Sequence, residues 1–147
     1  MDLMNRIRII VADDHEIVRT QIKALLHRHV DLCVVDVATT GAEAIERTML
    51  HKPDVVVMDV HMPGMSGIDA CYKISKLFPD IRVVILTVFA EDNLLIAAGK
   101  AGAAGYVLKR IGGDILVSTI RAVVHGKFGL DPAMTEAMHE RIGQRIK

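Results

Sequence analysis

Three carboxylates, a hydroxyl and an amine each come at the end of a short apolar segment of this sequence. Asp13 and Asp14 end the stretch IRIIVADD, and Asp59 ends DVVVMD. Thr87 ends RVVILT, and Lys109 ends GYVLK. If these segments are parallel strands of one sheet, their carboxyl ends share one rim, where the ligands of such sheets bind. The sequence therefore predicts that these five side chains lie close together.

The three acids predict a site for a hard cation. Two carboxylates about 4 Å apart repel each other by roughly 4 kcal/mol at an effective dielectric near 20. That is a large share of the roughly 5–15 kcal/mol by which a small domain is stable. An all-oxygen cluster favours Mg²⁺, which commonly keeps positions open for phosphate oxygens. Lys109 adds a second positive charge that suits a phosphoryl oxygen.

Each of these residues also has an ordinary structural explanation. The acid pair could cap the helix that follows it. Asp59 could be a plain loop acid, and Thr87 is a common residue type in strands. Lys109 could be a solvated lysine whose stem packs on the sheet. Their joint position at one rim favours the chemical interpretation over these separate ones.

The elements that must carry these residues alternate along the chain, and they predict an α/β fold with a parallel sheet covered on both faces. Apolar, β-rich runs are predicted as strands at 7–14, 33–38, 54–59, 82–87 and 105–109, the first running into a loop. Helical spacing predicts helices at 16–29, 41–52, 67–78, 91–102 and 113–127. The pattern then breaks, and one extra helix is predicted within 128–147. We expect one domain over residues 1–126 and a linker or appended helix over 127–147.

The composition excludes several classes of protein. A chain of 147 residues that is 51% hydrophobic can bury a core. Its net charge of zero argues against nucleic-acid binding by this segment alone. Two cysteines, Cys33 and Cys71, form no disulfide framework, and no apolar run reaches the roughly 20 residues that span a bilayer. We expect a cytoplasmic chain with no membrane partner.

Four stretches, in this order and spacing, resemble a bacterial two-component response-regulator receiver domain. They are VADDHEIVRTQIKALL, VVVMDVHMPGMSGID, VVILTVFAED and AGAAGYVLKR, and the resemblance covers residues 7 to about 126. It is strongest to the NarL/FixJ-like subfamily, which carries a LuxR-type helix-turn-helix output domain. It implies a flavodoxin-like (βα)5 doubly wound sheet with strand order 2-1-3-4-5, followed here by the extra helix.

The resemblance also implies a role for each residue of the rim. Asp59 matches the phosphoacceptor, which takes a phosphoryl group from a histidine kinase. Asp13 and Asp14 match the acidic pair that holds Mg²⁺ together with Asp59 and the backbone carbonyl of His61. Lys109 matches the lysine that pairs with the phosphoryl group.

A conformational switch is implied at two further positions. Thr87 matches the hydroxyl that bonds the phosphoryl group and moves inward, and Tyr106 matches the aromatic residue that follows it. The surface of helix four, strand five and helix five is then expected to change shape. Val88, Arg110 and Ile111 depart from the residues usual in the family beside Thr87 and Lys109.

These roles predict a phosphoacceptor switch, not an enzyme, which assists its own phosphoryl transfer and dephosphorylation. The expected output is transcriptional control through a DNA-binding domain absent from this chain, with a homodimer as a possible form. The alternative is a stand-alone receiver that docks to a protein, as in chemotaxis or a phosphorelay. An aspartate-nucleophile phosphatase is a third hypothesis, but it would need a second acid where His61 stands.

Overall fold

The computed structural model describes residues 5–88, 91–109, 113–127 and 129–130. Strands and helices alternate along it as predicted, and their bounds differ from the predicted ones by a few residues at most. The strands are β1 (Ile7–Ala12), β2 (Leu32–Ala38), β3 (Val55–Met58), β4 (Arg82–Thr87), β5 (Gly105–Leu108) and β6 (Gly129–Leu130). The helices are α1 (Glu16–His27), α2 (Gly41–His51), α3 (Gly67–Leu77), α4 (Asp92–Lys100) and α5 (Gly113–Val124).

All six strands form one sheet in the order β2-β1-β3-β4-β5-β6. Every neighbouring pair is parallel. The order of the first five strands confirms the predicted flavodoxin-like arrangement. β6 was not predicted: it extends the sheet beyond β5 by two residues. The extra helix predicted within 128–147 lies outside the described residues, apart from the two that form β6.

The sheet separates two hydrophobic layers, because successive side chains of a strand point to opposite faces. On one face, Ile10 and Ile85 belong to a cluster that α2, α3 and α4 cover. On the other face, Val11 and Val57 belong to a cluster that α1 and α5 cover. All four side chains are at most 1% exposed. The continuous apolar runs of the sequence are thus explained by burial on both sides of the strands.

Side-chain oxygens cap two of the helices at their amino ends. The Thr40 hydroxyl accepts a hydrogen bond from the Glu43 N–H at the start of α2, and the Ser66 hydroxyl accepts one from the Asp69 N–H at the start of α3. The first residue outside α1 is His15, whose side chain makes no such bond. α2 and α3 therefore begin where a capping residue satisfies a free backbone N–H.

Within the described residues, no helix combines the length and the apolar composition needed to cross a bilayer. Cys33 is half-buried and Cys71 is buried, and both are free thiols.

Candidate functional site at the carboxyl ends of the strands

Backbone pairing brings the predicted site residues to one rim. The Asp59 N–H donates to the Ala12 carbonyl at 2.9 Å, so Asp59 and Asp13 leave neighbouring strands at the same level. The Lys109 N–H donates to the Thr87 carbonyl at 2.7 Å, which aligns the ends of β4 and β5. The parallel register thus collects the ends of β1, β3, β4 and β5 along one edge.

The three predicted acids meet at this rim. One ligand atom each from Asp13, Asp14, His15 and Asp59 lie within 4.8 Å of one another. Asp13 and Asp59 are buried, at 1% and 6% exposure, whereas Asp14 and His15 are exposed. The alternative that the acid pair caps α1 is not met, because His15 occupies the capping position. The Asp13 carboxylate accepts from the His15 N–H at 2.9 Å, which holds the turn before α1.

Lys109 reaches both buried acids. Its Nζ lies 2.6 Å from Asp13 Oδ2 and 3.5 Å from Asp59 Oδ2. The lysine side chain is only 16% exposed. Lys109 is therefore not the solvated lysine of the ordinary explanation: its ammonium group balances two carboxylates that burial would otherwise leave without a countercharge.

Asp59 is held in a position that disfavours its charge. Burial raises the pKa of the Asp59 carboxyl above its usual value; the Lys109 ammonium opposes this rise, and the Asp13 carboxylate adds to it. The Val60 N–H donates to Asp59 Oδ1 at 2.9 Å and fixes that oxygen. A cation beside Asp59 would favour its ionised form, as would any further positive charge.

The loop after Asp59 is packed tightly against its backbone. A Cβ atom on Gly67 would lie 1.8 Å from the Asp59 carbonyl oxygen, so only glycine fits there. The Gly67 N–H donates to the Val60 carbonyl at 2.8 Å. Gly64 has a φ of 76°, a conformation that glycine adopts without strain. The glycines thus let α3 begin directly against the end of β3.

The two predicted switch residues lie on neighbouring strands. Thr87 is fully buried at the end of β4, and Tyr106 is 1% exposed on β5. Tyr106 pairs with Ile85, two residues before Thr87, and both Tyr106 and Ile85 belong to the layer under α2, α3 and α4. Because residues two apart on a strand share a face, Thr87 points to the same layer as Tyr106.

Other predicted residues of the rim lie at its outer edge. The His61 side chain is exposed, two residues after Asp59, and Val88 is 57% exposed beside Thr87. Arg110 and Ile111, the departures beside Lys109, lie outside the described residues.

Sequence reasoning missed two residues of the site. His15 Nδ1 lies 3.1 Å from Asp13 Oδ1 and 3.0 Å from Asp14 Oδ1. Arg19, one turn into α1, donates from Nη1 to the Asp13 carbonyl at 2.7 Å. His15 could have been found from its position directly after the acid pair. Arg19 could not have been found, because the sequence gives no signal of the direction in which a helical arginine side chain extends.

The family model for the response regulator receiver domain matches residues 9–121. The chain belongs to this family. The receiver is 41% identical over 132 residues to the oxygen regulatory protein NreC of Staphylococcus carnosus, covering 89% of this chain but 61% of that protein. It therefore spans about three fifths of the length of this relative.

Solved structures place the receiver in the predicted subfamily. A LuxR-family two-component response regulator from Aurantimonas superposes with a TM-score of 0.90 at 32% identity, covering 97% of this chain and 99% of that one. The isolated receiver of RcsB from Salmonella enterica, solved with the phosphomimetic BeF₃⁻, superposes with a TM-score of 0.82 at 26% identity. It covers 90% of this chain and 98% of its own. The chain is thus the receiver of a LuxR-type response regulator, a signalling switch of a two-component system.

Proposed function

We propose that Asp59 accepts a phosphoryl group from the phosphohistidine of a histidine kinase. The observation that carries this proposal is the meeting of Asp13, Asp14 and Lys109 around one buried carboxylate at the rim. The donor set fits Mg²⁺, because three carboxylates supply oxygen ligands and charge for a hard cation. Asp13, Asp14 and Asp59 would hold the ion, with the His61 carbonyl as a further ligand.

The proposed reaction is an in-line displacement at phosphorus. A carboxylate oxygen of Asp59 forms the new bond to phosphorus while the bond to the donor imidazole nitrogen breaks, and the imidazole leaves with that electron pair. When bound, Mg²⁺ neutralises charge on the phosphoryl oxygens. Among the residues of the chain, the Lys109 ammonium and the Thr87 hydroxyl bind the phosphoryl group. Positioning and charge neutralisation are the main requirements of this chemistry.

Phosphorylation is proposed to act through Thr87 and Tyr106. A bond from the Thr87 hydroxyl to the phosphoryl group draws Thr87 toward Asp59, and Tyr106 repacks in the space beside it. Because Tyr106 lies on β5, this changes the surface formed by α4, β5 and α5. The site serves as a switch that assists its own phosphoryl transfer and dephosphorylation.

The proposed output is control of transcription. The relative NreC is longer than this chain, and its length leaves room for a further domain. We assign DNA contact to a helix-turn-helix domain outside residues 1–147, with a homodimer as the proposed active form. Because the proposed partner is a histidine kinase, we also propose a cytoplasmic location for the receiver. The likeness to LuxR-family regulators favours this output over a stand-alone receiver that docks to another protein.

The acceptor is tested by phosphorylation with acetyl phosphate and Mg²⁺, followed by intact-mass and peptide mass spectrometry. The wild-type chain should gain one phosphoryl group on the peptide that contains Asp59. Asp59→Asn, which keeps the shape of the side chain, should gain none. Asp69→Asn, which changes an exposed acid on α3, should label like the wild type. Equal labelling of Asp59→Asn would move the acceptor to another residue.

The cation site is tested separately by thermal unfolding. An ion that binds only the folded chain stabilises it by mass action. Millimolar Mg²⁺ should raise the melting temperature of the wild type but not that of Asp13→Asn. A melting temperature that is independent of Mg²⁺ in the wild type would remove the proposed cation site.

A further inference from the structure

His15 brings an imidazole nitrogen into the acidic cluster. Its Nδ1 lies 3.1 Å from Asp13 Oδ1 and 3.0 Å from Asp14 Oδ1. One ligand atom each from Asp13, Asp14, His15 and Asp59 lie within 4.8 Å of one another. The Mg²⁺ site described above uses only oxygen ligands, so this nitrogen has no role in it.

We propose that His15 Nδ1 is an additional ligand of the cation site and makes the site prefer transition-metal ions such as Ni²⁺ over Mg²⁺. The inference rests on the proposed cation site of Asp13, Asp14 and Asp59. In an octahedral complex with bonds of about 2.1 Å, neighbouring ligand atoms lie about 3 Å apart. The distances from His15 Nδ1 to the two carboxylates match this spacing. One ion can therefore contact all three atoms after small side-chain movements.

Lys109 and His15 approach different oxygens of Asp13. Lys109 Nζ contacts Asp13 Oδ2, whereas His15 Nδ1 lies beside Asp13 Oδ1. The ion is therefore expected on the Oδ1 side of Asp13, facing the exposed residues Asp14 and His15. Entry from solvent on that side does not require Lys109 to leave its carboxylate.

The selectivity follows from the kind of ligand. Mg²⁺ prefers oxygen ligands and gives up its waters reluctantly. Imidazole nitrogen suits Ni²⁺, Zn²⁺, Cu²⁺ and iron, and the affinity of a given site rises from Mn²⁺ through Ni²⁺ to Cu²⁺. An imidazole beside three carboxylates therefore adds affinity for Ni²⁺ and very little for Mg²⁺.

We expect His15→Ala to keep the fold. The His15 side chain is 66% exposed and does not cap α1, although His15 stands at the capping position. The bond from the His15 N–H to Asp13 Oδ1 uses the backbone and remains in His15→Ala. His125→Ala is a matched control, because His125 is an exposed histidine just after α5.

The test is calorimetric titration of the wild type, His15→Ala and His125→Ala with Mg²⁺ and with Ni²⁺. It is run near pH 8, because imidazole binds a metal ion in its neutral form. For His15→Ala, the affinity for Ni²⁺ should fall about ten-fold or more while that for Mg²⁺ stays within about two-fold. His125→Ala should match the wild type with both ions.

A spectroscopic readout tests the bond itself. Pulsed electron paramagnetic resonance of bound Mn²⁺ should show coupling to an imidazole nitrogen in the wild type and in His125→Ala. His15→Ala should lose that coupling. Coupling that persists in His15→Ala would show that another nitrogen binds the ion and would overturn the proposal.

The remaining outcomes separate this inference from the proposed function. Equal losses of Mg²⁺ and Ni²⁺ affinity in His15→Ala would mean that His15 only positions the loop, and unchanged Ni²⁺ affinity would mean that it is no ligand. If Mg²⁺ still binds and Asp59 is still labelled, either result overturns this inference alone. A wild-type chain that binds neither ion overturns both.

Discussion

The Lys109 ammonium lies closer to Asp13 than to Asp59, at 2.6 Å against 3.5 Å. Both acids are buried, so this single lysine supplies positive charge to each of them. A divalent ion on the Oδ1 side of Asp13 would share the charge of that carboxylate and so weaken its attraction for Lys109 on the Oδ2 side. We expect ion binding to let Lys109 shift toward Asp59, where the phosphoryl group is proposed to form.

Lys109→Met should destabilise the ion-free chain and strengthen Mg²⁺ binding. Loss of the ammonium leaves two buried carboxylates without their shared cation, at a cost of about 3–5 kcal/mol in the free energy of unfolding. The same loss removes the competitor of Mg²⁺. Urea denaturation and calorimetric titration measure the two effects. Lys100→Met, which changes an exposed lysine of α4, should alter neither, and weaker Mg²⁺ binding in Lys109→Met would contradict the competition.

Gly67→Ala should destabilise the fold severely. The added methyl group would meet the Asp59 carbonyl oxygen at 1.8 Å, so either α3 or the end of β3 must shift. We expect a loss of about 3 kcal/mol or more in urea denaturation. Gly99→Ala is the matched control, because nothing lies within 4 Å of a Cβ atom there. That exposed helical position should gain up to about 1 kcal/mol. Similar stabilities of the two variants would mean that the loop tolerates a side chain.

Thr48→Val should stabilise the chain. The Thr48 hydroxyl is buried in α2, and it has no hydrogen-bond partner among the residues that the structure describes. Its removal should raise the free energy of unfolding by about 1 kcal/mol, since a buried polar group without a partner is destabilising.

Thr40→Val, at the residue that caps the same helix, is a control that should destabilise the chain. The Thr40 hydroxyl accepts from the Glu43 N–H at 3.1 Å, so its loss should cost about 1 kcal/mol. Both variants are compared by chemical denaturation under the same conditions. A loss of stability in Thr48→Val would show that its hydroxyl is bonded in solution.

The pair of Asp31 and Arg121 should stabilise the chain only above acidic pH. The Arg121 guanidinium donates two hydrogen bonds to Asp31, at 2.9 and 3.0 Å, and holds the pKa of that carboxyl below its usual value. A lowered pKa means that the contribution is complete above the unfolded pKa of about 3.9 and disappears as the pH falls through the folded pKa. Since both side chains are substantially exposed, the contribution should be below about 1 kcal/mol.

Thermal unfolding of the wild type and Asp31→Asn from pH 7 to pH 3 measures this contribution. The difference in melting temperature should be constant at neutral pH and should shrink below about pH 4. Asp80→Asn, which changes an exposed acid, is the control. A difference that grows with acidity would contradict the assigned direction of the pKa shift.

The sheet and the rim could be predicted from sequence because their signals are local. A run such as VVVM at 55–58 indicates a strand that is buried on both faces of a parallel sheet. A residue at the end of such a run must lie at the carboxyl edge of that sheet. Asp13, Asp59 and Lys109 were found in this way, without any knowledge of their contacts. Capping residues and helix breaks depend on neighbours in sequence, so most bounds were predicted within two residues.

Contacts that depend on side-chain rotation could not be predicted. Whether Lys109 approaches Asp13 or Asp59 depends on the charges of both strands and on the burial of its stem. The bond from Arg19 to the Asp13 carbonyl joins two elements through a flexible side chain. β6 was missed because Gly129 and Leu130 are too few to form a pattern; only their pairing with β5 makes them a strand.

β6 has a consequence for how movement can leave the molecule. Leu130 pairs with Tyr106, so the backbone that continues toward residue 131 is tied to the strand that carries the aromatic residue. Two paired residues are a weak attachment, and they are the first bonds that a displaced β5 would strain. If β5 shifts as proposed, the movement would reach Gly129 and Leu130 through this pairing, a second route for the signal beside the change in surface shape.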